Sequence, residues 1–343
     1  MKGAPNFPQL LSTSLSVQDT SRPMPLRHPN VRDLFWAVAS PEMMVQHAHN
    51  SLAALPDVDW FLALDRSPQA LEVHLQQRNL WMLGTYFEAL WEFYLANNPN
   101  TQLLAKNVQV FVERNGRPAT LGEIDFVYFC HQRRKAIHLE VAVKYYMFVG
   151  QGEQSSTSDL DHWIGPQCND RLDIKHKKLI GRQSTIAQTQ EGKKVLAELG
   201  IGECEPEIAL KGFLFYPIDN LAAPALTNDG HQRGIWLRQS EVASWLVRYQ
   251  ADCSVWQVLE KPSWLATELD RFPMMTNDEL VRRVDCHFTQ SEDLSVAEEG
   301  APMRSPRPLQ CAGFVSGAEV IRFFVVPDSW PLLTKATAHL MLG

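Results

Sequence analysis

Hydrophobic and polar residues alternate along residues 107–149 in a way that predicts three adjacent β-strands. Val108, Val110 and Val112 occupy every second position, which is the two-residue period of a strand. Asn115-Gly116 then supplies the positive φ angles that a tight hairpin turn requires. The stretch therefore predicts an antiparallel meander, with strands near 108–112, at 122–129 and at 136–148, and a second turn at 131–135.

The segments on either side of this meander carry the patterns of helices and of one buried strand. An apolar, proline-free run predicts a helix over 69–97, and Asn169 is a suitable N-cap for a second helix over 169–182. The apolar run 207–218 predicts a strand that joins the sheet parallel to a neighbour. The fold class that follows is α/β (α+β) with a mixed sheet. Further predicted elements are short helices in 30–64, a helix after Ser240, a polar loop at 291–310 and a last strand beginning at Ala318.

The length of 343 residues predicts about two domains at ~150 residues each. Residues 1–27 are rich in Ser, Thr, Pro and Gln, and we expect disorder there. A core domain is predicted over 28–220, and 221–343 is either a C-terminal extension of it or a small second domain. There is no secretory signal and no run long enough for a membrane span, so we expect a cytoplasmic protein that has no contact with membranes.

Charged residues interrupt the third predicted strand on the face opposite its apolar residues. His138, Glu140 and Lys144 share this face, and Glu123 and Asp125 share one face of the second strand. If the hairpin aligns them, three carboxylates meet, and such a cluster needs a cation or a shared proton. Oxygen ligands favour Mg²⁺ or Mn²⁺. The alternative is a solvated strand face with cross-strand charge pairs.

The same residues resemble a nuclease signature. Gly122-Glu123-Ile124-Asp125, a hairpin, and then Leu139-Glu140-Val141 followed by a lysine are similar to the PD-(D/E)XK motif. The resemblance implies a restriction-endonuclease-like αβββαβ core and nuclease activity, as in Holliday junction resolvases. The whole chain also resembles an uncharacterised bacterial family assigned to that superfamily, through blocks such as WIGPQCNDRLDIKHKKL, RGIWLRQSE, KPSWLA and VVPDSWP.

The resemblance also implies roles for individual residues. Asp125 and Glu140 would hold Mg²⁺ (or Mn²⁺), with Glu123 and Glu88 in support and Lys144 stabilising charge on the nucleophile or the phosphate. One departure from the motif concerns the lysine, because Ala142 occupies the position of Lys in Glu-x-Lys. Lys144 stands two residues further along, a distance of about 6.6 Å in a strand.

Basic residues follow the meander, although the net charge of the chain is −7. The spacing of Arg171, Lys175, Lys178 and Arg182 places them on one face of the predicted helix 169–182. Such a face next to a carboxylate cluster predicts binding to nucleic-acid phosphates, with DNA preferred to RNA. The alternative is an ordinary solvated helix face. Nucleases that cut both strands are often dimers, so a homodimer is compatible with this interpretation.

Three functions remain open at this point. The first is a metal-dependent phosphodiesterase that acts on nucleic acid. The second is a catalytically inactive nucleic-acid-binding protein on the same fold, which the displaced lysine favours. The third is a non-catalytic protein-interaction module that uses the tryptophan-rich C-terminal part. Because the six cysteines have no C-x-x-C spacing, they are predicted to be reduced thiols and not a zinc site.

Overall fold

The computed structural model describes residues 26–45, 57–78, 80–150, 160–218, 223–224, 226–249, 255–266, 273–296 and 307–331. These residues form a mixed β-sheet and helices, so the predicted α/β class is confirmed. Of the segment predicted to be disordered, residues 1–25 lie outside the described residues. The α-helices are Pro29–Ala39 (α1), Val58–Arg66 (α2), Gln69–Gln76 (α3), Leu83–Asn97 (α4), Leu172–Lys178 (α5), Gln190–Glu198 (α6), Val242–Tyr249 (α7) and Asn277–Val296 (α8). The strands are Thr101–Arg114 (β1), Arg117–Cys130 (β2), Lys135–Phe148 (β3), Trp163–Ile164 (β4), Cys204–Pro217 (β5), Gln232–Arg238 (β6), Val255–Leu259 (β7), Leu309–Val315 (β8) and Ala318–Val326 (β9).

The chain divides into two compact units, each discontinuous in sequence. The first unit comprises Met24–Lys144 and Ile174–Lys211, and the second includes the described parts of Tyr145–Asp173 and Gly212–Gly343. Strands β3 and β5 are neighbours, and each contributes its first part to the first unit and its last part to the second. The functional division of the chain near residue 220 stays a prediction.

The first unit contains the predicted meander. Strand β2 pairs antiparallel with both β1 and β3. Asn115 and Gly116 have φ angles of 52° and 71°, so the turn has the conformation that its sequence predicts. Strand β1 begins at Thr101, earlier than the alternating valines indicate. The meander is therefore confirmed, with a longer first strand.

The second unit contains the other strands of the sheet. Strand β6 is parallel to β5 and to β9, and β8 is antiparallel to β9 and to β7. The apolar run at 207–218 thus joins the sheet with a parallel neighbour, as predicted. Trp245 and Trp256 are buried in the core of this unit, where they pack with other apolar side chains. Strand β9 and helix α7 also lie where the sequence predicts them.

Two predicted elements, a helix and a loop, have the wrong bounds. The helix predicted over 69–97 is two helices, because α3 ends at Gln76 and the chain is extended at Met82 before α4 begins. The two segments bury different residues: α3 buries only Leu71 and Leu75, whereas α4 is buried on most of its circumference. The predicted loop at 291–310 is also partly wrong, since α8 extends to Val296 and β8 begins at Leu309.

The helix predicted over 169–182 begins later and changes its winding. Helix α5 starts at Leu172, and after Lys178 the chain continues as one π-helical turn, Leu179–Gln183. Arg171 therefore precedes the helix, and Arg182 lies in the π turn. For this reason the four basic residues predicted on one regular helix face do not form one.

Candidate functional site

The carboxylates of Asp125 and Glu140 meet in the first unit, where the pairing of β2 with β3 ends. The backbone ladder runs from Cys130–Lys135 to Phe126–Leu139. At the next position side chains replace the ladder: the Val141 N–H donates to Asp125 Oδ2 at 3.0 Å, and the Asp125 N–H donates to Glu140 Oε1 at 3.4 Å. The alignment that the hairpin register predicts is therefore present.

Glu140 is fully buried and is held by two other side chains. His138 Nε2 lies 2.8 Å from Glu140 Oε1, and Gln183 Nε2 donates to Glu140 Oε2 at 3.0 Å. His138 is also fully buried, and its Nδ1 has no hydrogen-bond partner among the residues that the structure describes. Because a carboxylate accepts, the imidazole proton lies on Nε2. The two contacts fix the orientation of the Glu140 carboxylate.

Burial and the neighbouring negative charge raise the pKa of Asp125 to about 7. Burial is the largest cause, and the charge of Glu140 comes second, followed by the opposing hydrogen bond from the Val141 N–H. At neutral pH the Asp125 carboxyl therefore retains a proton in a substantial fraction of molecules. A site of this kind accepts a cation readily, because the cation removes the repulsion between the two carboxylates.

Helix α4 presents Glu88 to the same cluster. Burial raises the pKa of Glu88, and the charges of Glu123 and Glu140 raise it further. Glu92, one turn later, differs from Glu88 because it forms ion pairs with Arg78 at 2.9 Å and Lys106 at 2.6 Å. Of the two helix carboxylates, Glu88 is therefore the one on which the charges of the cluster act, and its role in the site stays a prediction.

Glu123 stands two residues before Asp125 on β2 and accepts a hydrogen bond from Gln109 Nε2 of β1. It is partly buried, and its charge acts on Glu88. Glu123 thus lies at the edge of the cluster and contributes negative charge to it, while Asp125 and Glu140 form its centre.

Lys175 is the cation whose effect on the carboxylates is resolved. Its charge lowers the pKa of both Asp125 and Glu88, and its Nζ donates to Gln183 Oε1 at 3.4 Å. Lys144 is partly buried on β3, four residues after Glu140 on the same face of the strand. The sequence predicts Lys175 on a phosphate-binding helix face, and it does not predict that Gln183 contacts the carboxylates. The only signal for Gln183 is its spacing from Lys175, about two helical turns.

The other basic residues predicted to bind nucleic acid lie in different surroundings. Arg171, in the second unit, is buried, and its Nε and Nη2 donate to the Asp173 carboxylate at 2.6 and 2.9 Å. Lys178 is exposed at the end of α5, and Arg182 donates to the Leu121 carbonyl at 2.7 Å. Arg133 pairs with Glu207, so its charge is already matched. A continuous basic surface is therefore not formed by these residues.

Other kinds of site can be judged only for the part of the chain that the structure describes. Within it, no three or more His, Cys, Asp and Glu side chains are grouped so as to hold a metal, and the five described cysteines are free thiols. No described helix has the length and apolar character needed to cross a membrane.

Comparison with known proteins identifies a family but no function. No curated protein and no solved structure matches the chain. A family model described as a domain of unknown function, DUF1853, matches residues 32–312, which include every residue of the carboxylate cluster. Because the match covers most of the sequence, the chain belongs to the DUF1853 family.

Proposed function

We propose that this protein is a metal-dependent phosphodiesterase that acts on nucleic acid. The observation that carries the proposal is the meeting of Asp125 and Glu140 at the splayed end of the β2–β3 hairpin, in buried surroundings that raise the pKa of Asp125 to about 7. A solvated face with charge pairs, the alternative from the sequence, does not describe this place, because Glu140 is fully buried.

The donor atoms suit Mg²⁺ or Mn²⁺. Both ions prefer oxygen ligands, and Mg²⁺ in particular is commonly bound by one or two carboxylates together with water and substrate phosphate. Asp125 and Glu140 would supply these two carboxylates, so a larger acidic group is not required. The hydrogen bonds from Val141, His138 and Gln183 fix the carboxylates, which is the role of outer contacts at metal sites.

When bound, the ion would supply an activated water and neutralise charge on the phosphate. The protein's own residues perform the other tasks. Asp125 and Glu140 would hold the ion, and Glu140 itself is fully buried. Glu88 and Glu123 supply additional negative charge around the pair. A lysine, either Lys144 or Lys175, would stabilise charge on the phosphate.

A second candidate is a protein that binds nucleic acid without cutting it. Two observations favour it: Ala142 takes the place of the motif lysine, and both oxygens of Glu140 already accept hydrogen bonds from protein groups. In that case the carboxylates would have a structural role only.

A cleavage assay separates the two candidates. The full-length protein is incubated with labelled single-stranded, duplex and branched DNA and with RNA, in millimolar Mg²⁺ or Mn²⁺ or in EDTA. We expect cleavage that requires the ion, with DNA preferred. Binding that weakens steeply with salt, without turnover in either ion, supports the second candidate. If the protein neither binds nor cleaves any of these nucleic acids, both candidates are contradicted.

A further inference from the structure

The geometry of β3 raises the question of which lysine serves the proposed site. Glu140, Ala142 and Lys144 share one face of the strand, so Lys144 lies about 6.6 Å beyond the position that a Glu-x-Lys motif uses. The β2–β3 pairing is regular up to its last pair, Phe126–Leu139, which lies directly before Glu140. Ala142 occupies the strand position that the motif uses for its lysine. A lysine from another element could take this role if it lies closer to the carboxylates than Lys144 does.

Lys175 of α5 is connected to the centre of the site by two hydrogen bonds. Its Nζ donates to Gln183 Oε1 at 3.4 Å, and Gln183 Nε2 donates to Glu140 Oε2 at 3.0 Å. A single amide thus joins the ammonium group to the buried carboxylate. The effect of Lys175 on the pKa of Asp125 and of Glu88 agrees with this placement.

The π turn after α5 makes the bridge geometrically possible. The Ser184 N–H donates to the Leu179 carbonyl at 3.0 Å, a bond across five residues that widens the turn. Gln183 is thereby placed so that its amide contacts both Lys175 and Glu140. Isolated π turns of this kind occur frequently at functional sites.

The π turn is also fixed to strand β2 beside the carboxylates. Arg182 donates to the Leu121 carbonyl at 2.7 Å. Ile186 packs so closely over Gly122 that a Cβ at this position would lie 2.7 Å from Ile186 Cδ1. The glycine of the Gly-Glu-Ile-Asp segment therefore makes room for Ile186, which belongs to the 3₁₀ turn that follows the π turn, three residues after Gln183. The position of Lys175 is supported by the same two strands that carry Asp125 and Glu140.

We propose that Lys175, oriented by Gln183, is the catalytic cation of this site and takes the part that the motif assigns to a strand lysine. The inference rests on the proposed function. In it the Lys175 ammonium faces the non-bridging oxygens of the phosphate and stabilises the charge that develops there. Gln183 is a positioning residue, because it acts on the substrate only through Lys175 and Glu140.

Two measurements on the full-length protein test this inference: Mn²⁺ binding by calorimetry and the rate of nucleic-acid cleavage. In Lys175→Met, we expect Mn²⁺ to bind about 5- to 10-fold more tightly, because a positive charge beside two carboxylates has been removed. We expect cleavage to be about 100-fold slower, because charge on the phosphate is no longer stabilised. Misfolding would weaken both properties, so it cannot produce this opposite pair of changes.

Two control variants make the assignment specific. Lys175→Arg keeps the charge, and we expect Mn²⁺ affinity close to that of the wild type with part of the cleavage rate recovered. Lys177→Met removes an exposed lysine of the same helix that has no part in the site, and both quantities should change by less than about twofold, because water screens its charge. An unchanged Mn²⁺ affinity in Lys175→Met, or the same pair of changes appearing in Lys177→Met, overturns the inference while the proposed function stands.

The same data distinguish a failure of the proposed function. If the wild type cleaves no nucleic acid, the phosphodiesterase proposal falls, and the Mn²⁺ measurement alone decides the position of Lys175. Tighter Mn²⁺ binding in Lys175→Met then supports its place beside the carboxylates. Equal binding in Lys175→Met and the wild type, or binding in neither, overturns it.

Discussion

Asp125→Asn is expected to slow metal-dependent cleavage by about 1,000-fold or more while the protein stays folded. The substitution removes the charge of one ion ligand and retains an oxygen that can accept from the Val141 N–H, which now bonds to Asp125 Oδ2. The ion would contribute several kcal/mol to stabilising the transition state, and loss of that contribution sets the size of the effect. Single-turnover rates give the comparison, measured for both proteins at the same millimolar Mn²⁺ concentration, chosen to saturate the wild type.

The matched control for this prediction is Glu113→Gln. Glu113 is an exposed carboxylate of β1, so its replacement also removes one negative charge from the meander. We expect its cleavage rate to stay within about twofold of the wild type, because screening by water makes distant surface charges weak. A rate for Asp125→Asn above one tenth of the wild-type rate, with the circular dichroism spectrum unchanged, would contradict the role given to Asp125.

The same substitution, Asp125→Asn, is expected to stabilise the metal-free protein at pH 8. Burial and Glu140 raise the pKa of Asp125 to about 7, so the folded protein holds this proton more tightly than the unfolded chain does. The wild type therefore loses stability as pH rises from about 4 to about 7, and above that range the loss is complete. Asn cannot ionise, so the variant avoids this loss, which we expect to be on the order of 1–3 kcal/mol.

Urea unfolding in EDTA at pH 5 and at pH 8 measures this difference. At pH 5 only part of this loss has occurred, so the urea midpoints of wild type and variant should differ less than they do at pH 8. At pH 8 the midpoint of the variant should be higher, and millimolar Mn²⁺ should raise the midpoint of the wild type alone. If the stability of the variant falls between pH 5 and pH 8 by as much as that of the wild type, ionisation of Asp125 is not the cause of the loss.

The parts of the site that are local in sequence could be predicted from it. Alternating residues and the polar turn before β3 fix the register of the β2–β3 hairpin, and this register places Asp125 beside Glu140. The carboxylate pair follows directly, because side chains on paired strands have only two faces. Glu88 required the resemblance, since a helix glutamate alone does not indicate which neighbour it faces.

The remaining features depend on contacts between segments that are distant in sequence. No proline or glycine between Gln76 and Leu83 marks the break between α3 and α4 in the sequence. The break instead reflects packing, because the two helices bury different residues. No recognised sequence signal predicts the π turn at Leu179–Gln183. Because Arg182 lies in this turn, it does not share one regular helix face with Lys175. The periodicity of the sequence therefore predicts Lys175 on an exposed basic helix face, whereas tertiary packing places it beside the carboxylates.

The central claim, that Asp125 and Glu140 form an ion site, is tested most directly by calorimetric titration with millimolar Mn²⁺. The measurement needs no knowledge of the substrate. Wild type and Asp125→Asn are compared in the same buffer, with Glu113→Gln as the control for loss of one charge. We predict a single bound ion in the wild type and in the control, and none in Asp125→Asn. Equal binding in all three proteins, or binding in none of them, would contradict the claim.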